Sequence, residues 1–123
     1  MFVRCYESEA CIEGNLAELR AAGARIARLI SGEWAHFFCE WRRASEPGER
    51  YLVALEVTAT EGPVRVGVRD DRLCVTGGSE HLHVFSEYFQ FPNATEPRHT
   101  HFEWWDGYEH VHPDALPLVI IMS

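Results

Sequence analysis

Six of the seven histidines fall between positions 81 and 112, as three His-x-His pairs: His81 and His83, His99 and His101, His110 and His112. In an extended strand residues two apart point the same way, so His99, His101 and Glu103 share one face, opposite Thr100, Phe102 and Trp104. Two imidazoles and a carboxylate on one face, with His110 or His112 following a turn, make the donor set of an open divalent-metal site. His99, His101, Glu103 and His112 are therefore one expected constellation, suited to a metal such as zinc. The same pattern also describes the wet face of a half-covered sheet, and both readings stand at this point. His81 and His83 lie in a helical stretch, where residues two apart diverge, so they do not form a chelate.

Other chemistries are poorer in parts. Ser79 follows Gly77-Gly78 without a Gly-x-Ser-x-Gly elbow, and its expected role is to cap a helix. Glu40 and Glu103 could pair for acid–base work, but a structural role in two related halves explains them equally well. No phosphate loop of either common spacing occurs, and the chain has no lysine. Cys5, Cys11, Cys39 and Cys74 show no Cys-x-x-Cys spacing and read as free thiols behaving as small hydrophobes. No catalytic constellation emerges, and the expectation is a protein that is not an enzyme. In the run from Phe102 to Trp105, alternation sends Phe102 and Trp104 to the core and places Trp105 beside Glu103 and His101. An exposed Trp next to carboxylates is an anchor of the kind protein interfaces favour.

The elements that would carry these residues come in two copies. Slid against itself by 63 positions without gaps, the chain shows ten identities in 60, including Cys11/Cys74, Gly14/Gly77, His36/His99, Glu40/Glu103 and Trp41/Trp104. Roughly 6% would agree by chance in ordinary composition, or about four. The local patterns agree as well. Strands are expected over 2–6 and 10–13, matched by 64–69 and 72–76 around the turn Asp70-Asp71. Asn15 and Glu18 form a capping box opening a helix over 16–30, with Leu16, Leu19, Ala22, Ile26 and Leu29 as its buried stripe. A second helix starts at Ser79, repeats the stripe with Leu82, Phe85 and Phe89, and stops before Pro92. Strands over 35–42 and 51–58 correspond to 98–105 and 116–122.

The expected fold is α+β: internally duplicated ββαββ units forming an antiparallel-rich sheet with two helices on one face. The linker 59–63 is too short to separate the halves, so residues 1–123 read as a single domain of two pseudo-repeats, about 1–60 and 64–123. The second helix carries an additional apolar stripe, Val84, Tyr88 and Phe91, which is an expected contact for a homodimer.

With 123 residues, 46% of them hydrophobic, the chain can bury a core, and no run of about 20 apolar residues is free of charges. Eleven arginines against 19 acids leave a net charge of −8, which argues against nucleic acid as partner and fits a basic protein surface better. Residues 1–7 lack the apolar segment of a secretory signal, and the expected compartment is the cytoplasm, with no membrane partner.

The stretch Leu73-Cys74-Val75-Thr76-Gly77-Gly78-Ser79, the helix after it, His99-Thr100-His101-Phe102-Glu103, and the closing His112-Pro113-Asp114-Ala115-Leu116-Pro117-Leu118-Val119-Ile120 together resemble a small family of bacterial immunity proteins. That family is associated with polymorphic toxin systems, and the resemblance covers residues 73–121. It implies a non-enzymatic protein that binds and neutralises a cognate toxin by direct protein–protein contact, with Glu103, Trp105, Tyr108 and Glu109 in the contact surface. The alternatives are a His/Glu metal-binding protein or enzyme, and a homodimeric accessory protein.

Overall fold

A computed structural model describes residues 1–92 and 97–123. In chain order its elements are β1 (Phe2–Cys5), β2 (Ala10–Gly14), α1 (Leu16–Ala27), β3 (Trp34–Phe38), β4 (Arg50–Leu52), β5 (Ala54–Ala59), β6 (Arg65–Arg69), β7 (Arg72–Gly77), α2 (Ser79–Glu87), β8 (Arg98–Phe102) and β9 (Leu118–Met122). The class is α+β, as expected. The strands divide between two mixed sheets, ordered β4-β1-β2-β9-β8 and β3-β5-β7-β6, where the sequence pattern led to one.

Two sheets arise because the halves exchange partners. Each hairpin forms locally: Phe2 stands opposite Glu13 in the first, and Arg65 opposite Thr76, 63 positions on, in the second. β2 then pairs in parallel with β9 from the other half, Cys11 beside Val119, and β7 pairs in parallel with β5, Cys74 beside Glu56. These registers too are related by the offset of 63. The outer strands are less faithful: His99 pairs with Ile121, whereas His36 pairs with Glu56 rather than Thr58. A slip of two residues keeps every side chain on its own face, so the sheet accepts it.

The expected strand over 51–58 breaks at Val53. β4 pairs with β1 in one sheet and β5 continues in the other, with Val53 N donating to Asp71 O at 2.8 Å at the crossing. Among the described residues the second half has no β4 equivalent. Pro113 and Pro117 cannot donate to a ladder, and the segment between them follows β6 through isolated bonds such as Leu116 N to Val66 O, 2.9 Å.

The capping box forms as expected: Asn15 Oδ1 accepts from Glu18 N at 2.8 Å, and Glu18 Oε1 accepts from Asn15 N at 2.9 Å. The helix it opens closes at Ala27, short of the expected 30. In α2 the N-cap is Gly78 rather than Ser79, and no side chain caps it. The helix ends at Glu87, and Phe91 sits in the left-handed region (φ +46°) with its ring buried. Arg20 supports this turn from α1, its Nε donating to Gln90 O at 2.8 Å and its Nη2 to Phe91 O at 3.2 Å. The two helices touch at Gly23, where an added Cβ would stand 2.9 Å from Phe89 Cβ and 3.0 Å from Ser86 O. One buried cluster joins residues of both sheets and both helices, with Phe85, Phe89 and Phe102 its largest members.

The capping box yields a prediction with a pH signature. Asn15→Ala should cost about 1 kcal/mol in urea unfolding. The Glu18 carboxyl is held below the usual carboxylate range, first by the amino terminus 2.8 Å away and then by the Asn15 N–H. A depressed folded-state pKa contributes stability above the ordinary carboxylate range, lost as pH falls through the folded value. Between about pH 6 and about pH 3 the wild type should therefore lose more stability than Glu18→Gln; equal losses would contradict the assignment.

Candidate interaction surface

β8 turns His99 and His101 to the solvent, their rings edge-to-face with centroids 5.0 Å apart, and sends Phe102 into the core. There the strand stops. Glu103, Trp104 and Trp105 leave the alternation, so Trp104, expected in the core beside Phe102, is 42% exposed instead. A turn at Asp106-Gly107 (Gly107 φ +90°) is closed by Tyr108 N donating to Trp105 O at 2.9 Å. It folds Tyr108 back against Trp105, with rings nearly parallel at 8° and centroids 5.0 Å apart.

Two contacts fix this loop to α2. The Tyr108 and Tyr88 hydroxyls lie 2.8 Å apart, and the Tyr88 ring meets Phe102 edge-on at 4.9 Å. Burial and the Tyr88 hydrogen bond both push the Tyr108 phenol above its ordinary pKa, so it stays a neutral donor and acceptor. The second contact is between His110 and His81, Nδ1 to Nδ1 at 3.0 Å, one ring donating and the other accepting. Glu109 and Glu80 stand beyond the two Nε2 atoms at 3.8 and 3.5 Å. This pair joins residues from two His-x-His segments that sequence spacing treated separately; the abundance of histidine in both was the signal. Of the expected contact residues, Glu103, Trp105 and Glu109 are exposed and Tyr108 is half-buried beneath Trp105.

The expected metal set is only partly gathered. His99 and His101 are neighbours, Glu103 lies past the end of the strand, and His112 Nδ1 accepts from Asp114 N at 3.0 Å. Among the described residues no group of three or more His, Cys, Asp or Glu side chains is placed to hold a metal ion. The stripe expected at a dimer contact is largely used within the chain: Phe91 is buried and Tyr88 is bonded to Tyr108, leaving Val84 half-buried at the rim of a hollow of about 380 Å³.

The four cysteines are free, and burial raises the thiol pKa of Cys11 and Cys74, and that of Cys39 to about 11. Cys11, Cys39 and Cys74 are therefore poor nucleophiles at neutral pH. Among the described residues no helix is long and apolar enough to cross a membrane.

The first half contributes a surface that residue spacing did not single out. β3 presents Trp34, His36 and Phe38 on the outer face of its sheet, with Trp34 66% and Phe38 87% exposed. His36 Nδ1 lies 3.3 Å from Glu56, which also accepts from Arg72 at 2.7 Å. Beyond β3, Trp41 is 62% exposed, as its repeat counterpart Trp104 is after β8; with Trp105 at 58%, all four tryptophans of the chain are exposed. No protein-family model matches the chain, and comparison with curated proteins and with solved structures returns no match.

Proposed function

We propose that the chain is a non-enzymatic binding protein, acting in the cytoplasm as an immunity protein that neutralises a toxin by direct contact. The observation that supports this reading is the exposure of every tryptophan. Tryptophan carries more apolar surface than any other side chain and is mostly covered in a protein that works alone, whereas it is enriched among the residues that dominate binding energy. The stack of Trp105 on Tyr108 is pre-ordered by the turn at Gly107 and by the Tyr88 hydroxyl, so little side-chain freedom remains to be lost on docking. Glu103 and Glu109 flank it, and a chain of net charge −8 is attracted to a basic partner, speeding encounter in a salt-dependent way.

The experiment is co-expression with the products of adjacent genes, one at a time. The expected result is a co-purifying complex that relieves the toxicity of one such product. Trp105→Ala should weaken it about 30-fold, or about 2 kcal/mol, while Glu103→Gln with Glu109→Gln should lower the association rate and its salt dependence. Absence of any complex at micromolar concentration, or a complex indifferent to Trp105, would reject the reading.

A further inference from the structure

The end strand of a sheet presents unpaired backbone N–H and C=O groups, and folded proteins guard such edges with short strands, charges, prolines or a covering segment. The two sheets have four edges, β4, β8, β3 and β6. Three are well guarded. β4 is three residues long and carries Arg50, which donates to Asp70 O at 2.7 Å. β6 is followed along its outer side by the 110–116 segment, through Val64 N to His110 O, His112 N to Val64 O and Leu116 N to Val66 O. β8 carries Arg98, and its central Thr100 hydroxyl donates to Tyr88 O at 3.0 Å.

Among the described residues β3 is the least protected of the four edges, guarded by one side chain from α1. Its five residues, Trp-Ala-His-Phe-Phe, include no arginine, acid or proline. Bonds at its two ends, Ala59 N to Glu33 O and Cys39 N to Val53 O, set the phase of pairing with β5. The odd-numbered residues bond β5, so Trp34, His36 and Phe38 turn their N–H and C=O groups to the open edge. Among the described residues one side chain reaches that row: Arg25, whose Nη1 lies 3.5 Å from His36 O and whose guanidinium lies 4.6 Å from the centre of the Phe37 ring. α1 runs alongside without filling the space, leaving a hollow of about 390 Å³ lined by Met1, Glu18, Ala22, Arg25, Phe37 and Phe38.

We infer that β3 is the docking strand for a second copy of this chain, joined antiparallel about a two-fold axis at His36. The strand is self-complementary in that register. Trp34 meets the partner's Phe38, His36 meets the partner's His36, and each pair is of the kind that exchanges two backbone hydrogen bonds. Aromatic side chains lie opposite aromatic ones within the strand pair, which is the favourable cross-strand arrangement, and Arg25 must swing away from His36 O as the partner strand's N–H takes its place. The two four-stranded sheets become one sheet of eight. The corresponding strand of the second half, β8, would bring Arg98 to the same kind of edge, which explains why only one end of the molecule pairs.

The strength follows from the area. Four largely exposed rings would bury about 600–800 Å², against about 1,600 Å² for a standard interface, so the dimer dissociates in the micromolar range. Two chains of charge −8 also repel, so added salt tightens the dimer, the reverse of its expected effect on a complex with a basic partner.

Sedimentation velocity from about 2 to about 200 µM, at low and at about 0.5 M salt, tests this. The 14.1 kDa chain should pass from monomer to dimer over that range, at lower concentration in high salt. Phe38→Lys and Trp34→Lys should stay monomeric with unchanged far-UV circular dichroism, while His83→Lys on α2 should dimerise like wild type. Hydrogen exchange on the wild type supplies a readout without substitution: the amides of Trp34, His36 and Phe38 should gain protection as concentration rises. A monomer at the highest concentration, a dimer that survives both β3 changes, or protection that does not vary with concentration would overturn the inference.

Discussion

Phe85→Ala should lower the free energy of unfolding by about 4 kcal/mol, read as a fall in the urea midpoint with little change in slope. Phe85 is fully buried, meets Phe89 edge-on at 5.1 Å and Phe102 at 4.7 Å, and connects α2 to the last residue of β8. Its removal deletes a whole ring at a point enclosed by two other rings, where inward collapse of neighbours is limited. A domain of this size has about 5–15 kcal/mol in total, so the variant should be close to unfolded at physiological temperature. Tyr88 rests on Phe102, so the Trp105–Tyr108 stack should lose order together with the core. A loss under about 1 kcal/mol would mean that this cluster is not the centre of the fold.

The second large effect is expected at the helix crossing. In an exposed helix Gly→Ala stabilises by up to about 1 kcal/mol. At Gly23 the added Cβ would meet Gln90 Nε2 at 2.7 Å, Phe89 Cβ at 2.9 Å and Ser86 O at 3.0 Å. The glutamine tip can move, but the other two belong to the α2 chain and a buried residue, so the helices must separate. Gly23→Ala should therefore destabilise by about 1 kcal/mol despite its propensity, and Gly23→Val by about 3 kcal/mol, in the range of overpacked cores. With roughly 4 °C of melting temperature per kcal/mol, the two should melt about 4 and about 12 °C below wild type. The decisive result is the order Gly above Ala above Val; an alanine variant more stable than wild type would show that the helices are not in contact there.

What could be read from residue order follows the range of the interactions involved. The capping box of Asn15 and Glu18 and the Asp70-Asp71 hairpin depend on neighbours within a few positions, and both stand as read. The offset of 63 was also legible, and it reappears in the registers of both hairpins and both parallel pairs. The choice of partner was not, because parallel pairing of β2 with β9 joins residues about a hundred positions apart, and alternation says which face a residue takes without saying which strand lies beside it. At the candidate surface, alternation placed His99 and His101 correctly and failed beyond Phe102, where the backbone leaves the sheet. The positive φ of Gly107, rather than any hydrophobic period, sets Tyr108 beneath Trp105.

The exchange of strands has a consequence for how the molecule holds together. Each sheet takes its hairpin from one half and the pair beside it from the other, so neither half has a closed core of its own. Divided at residues 59–63, the chain would become two peptides that fold only upon each other, an obligate complex governed by mass action. The five-residue tether turns that association into a unimolecular step, with an effective concentration in the millimolar range that dilution cannot lower. The molecule is in this sense a tethered heterodimer of related subunits, able to vary one subunit's surface while the other maintains the shared interior.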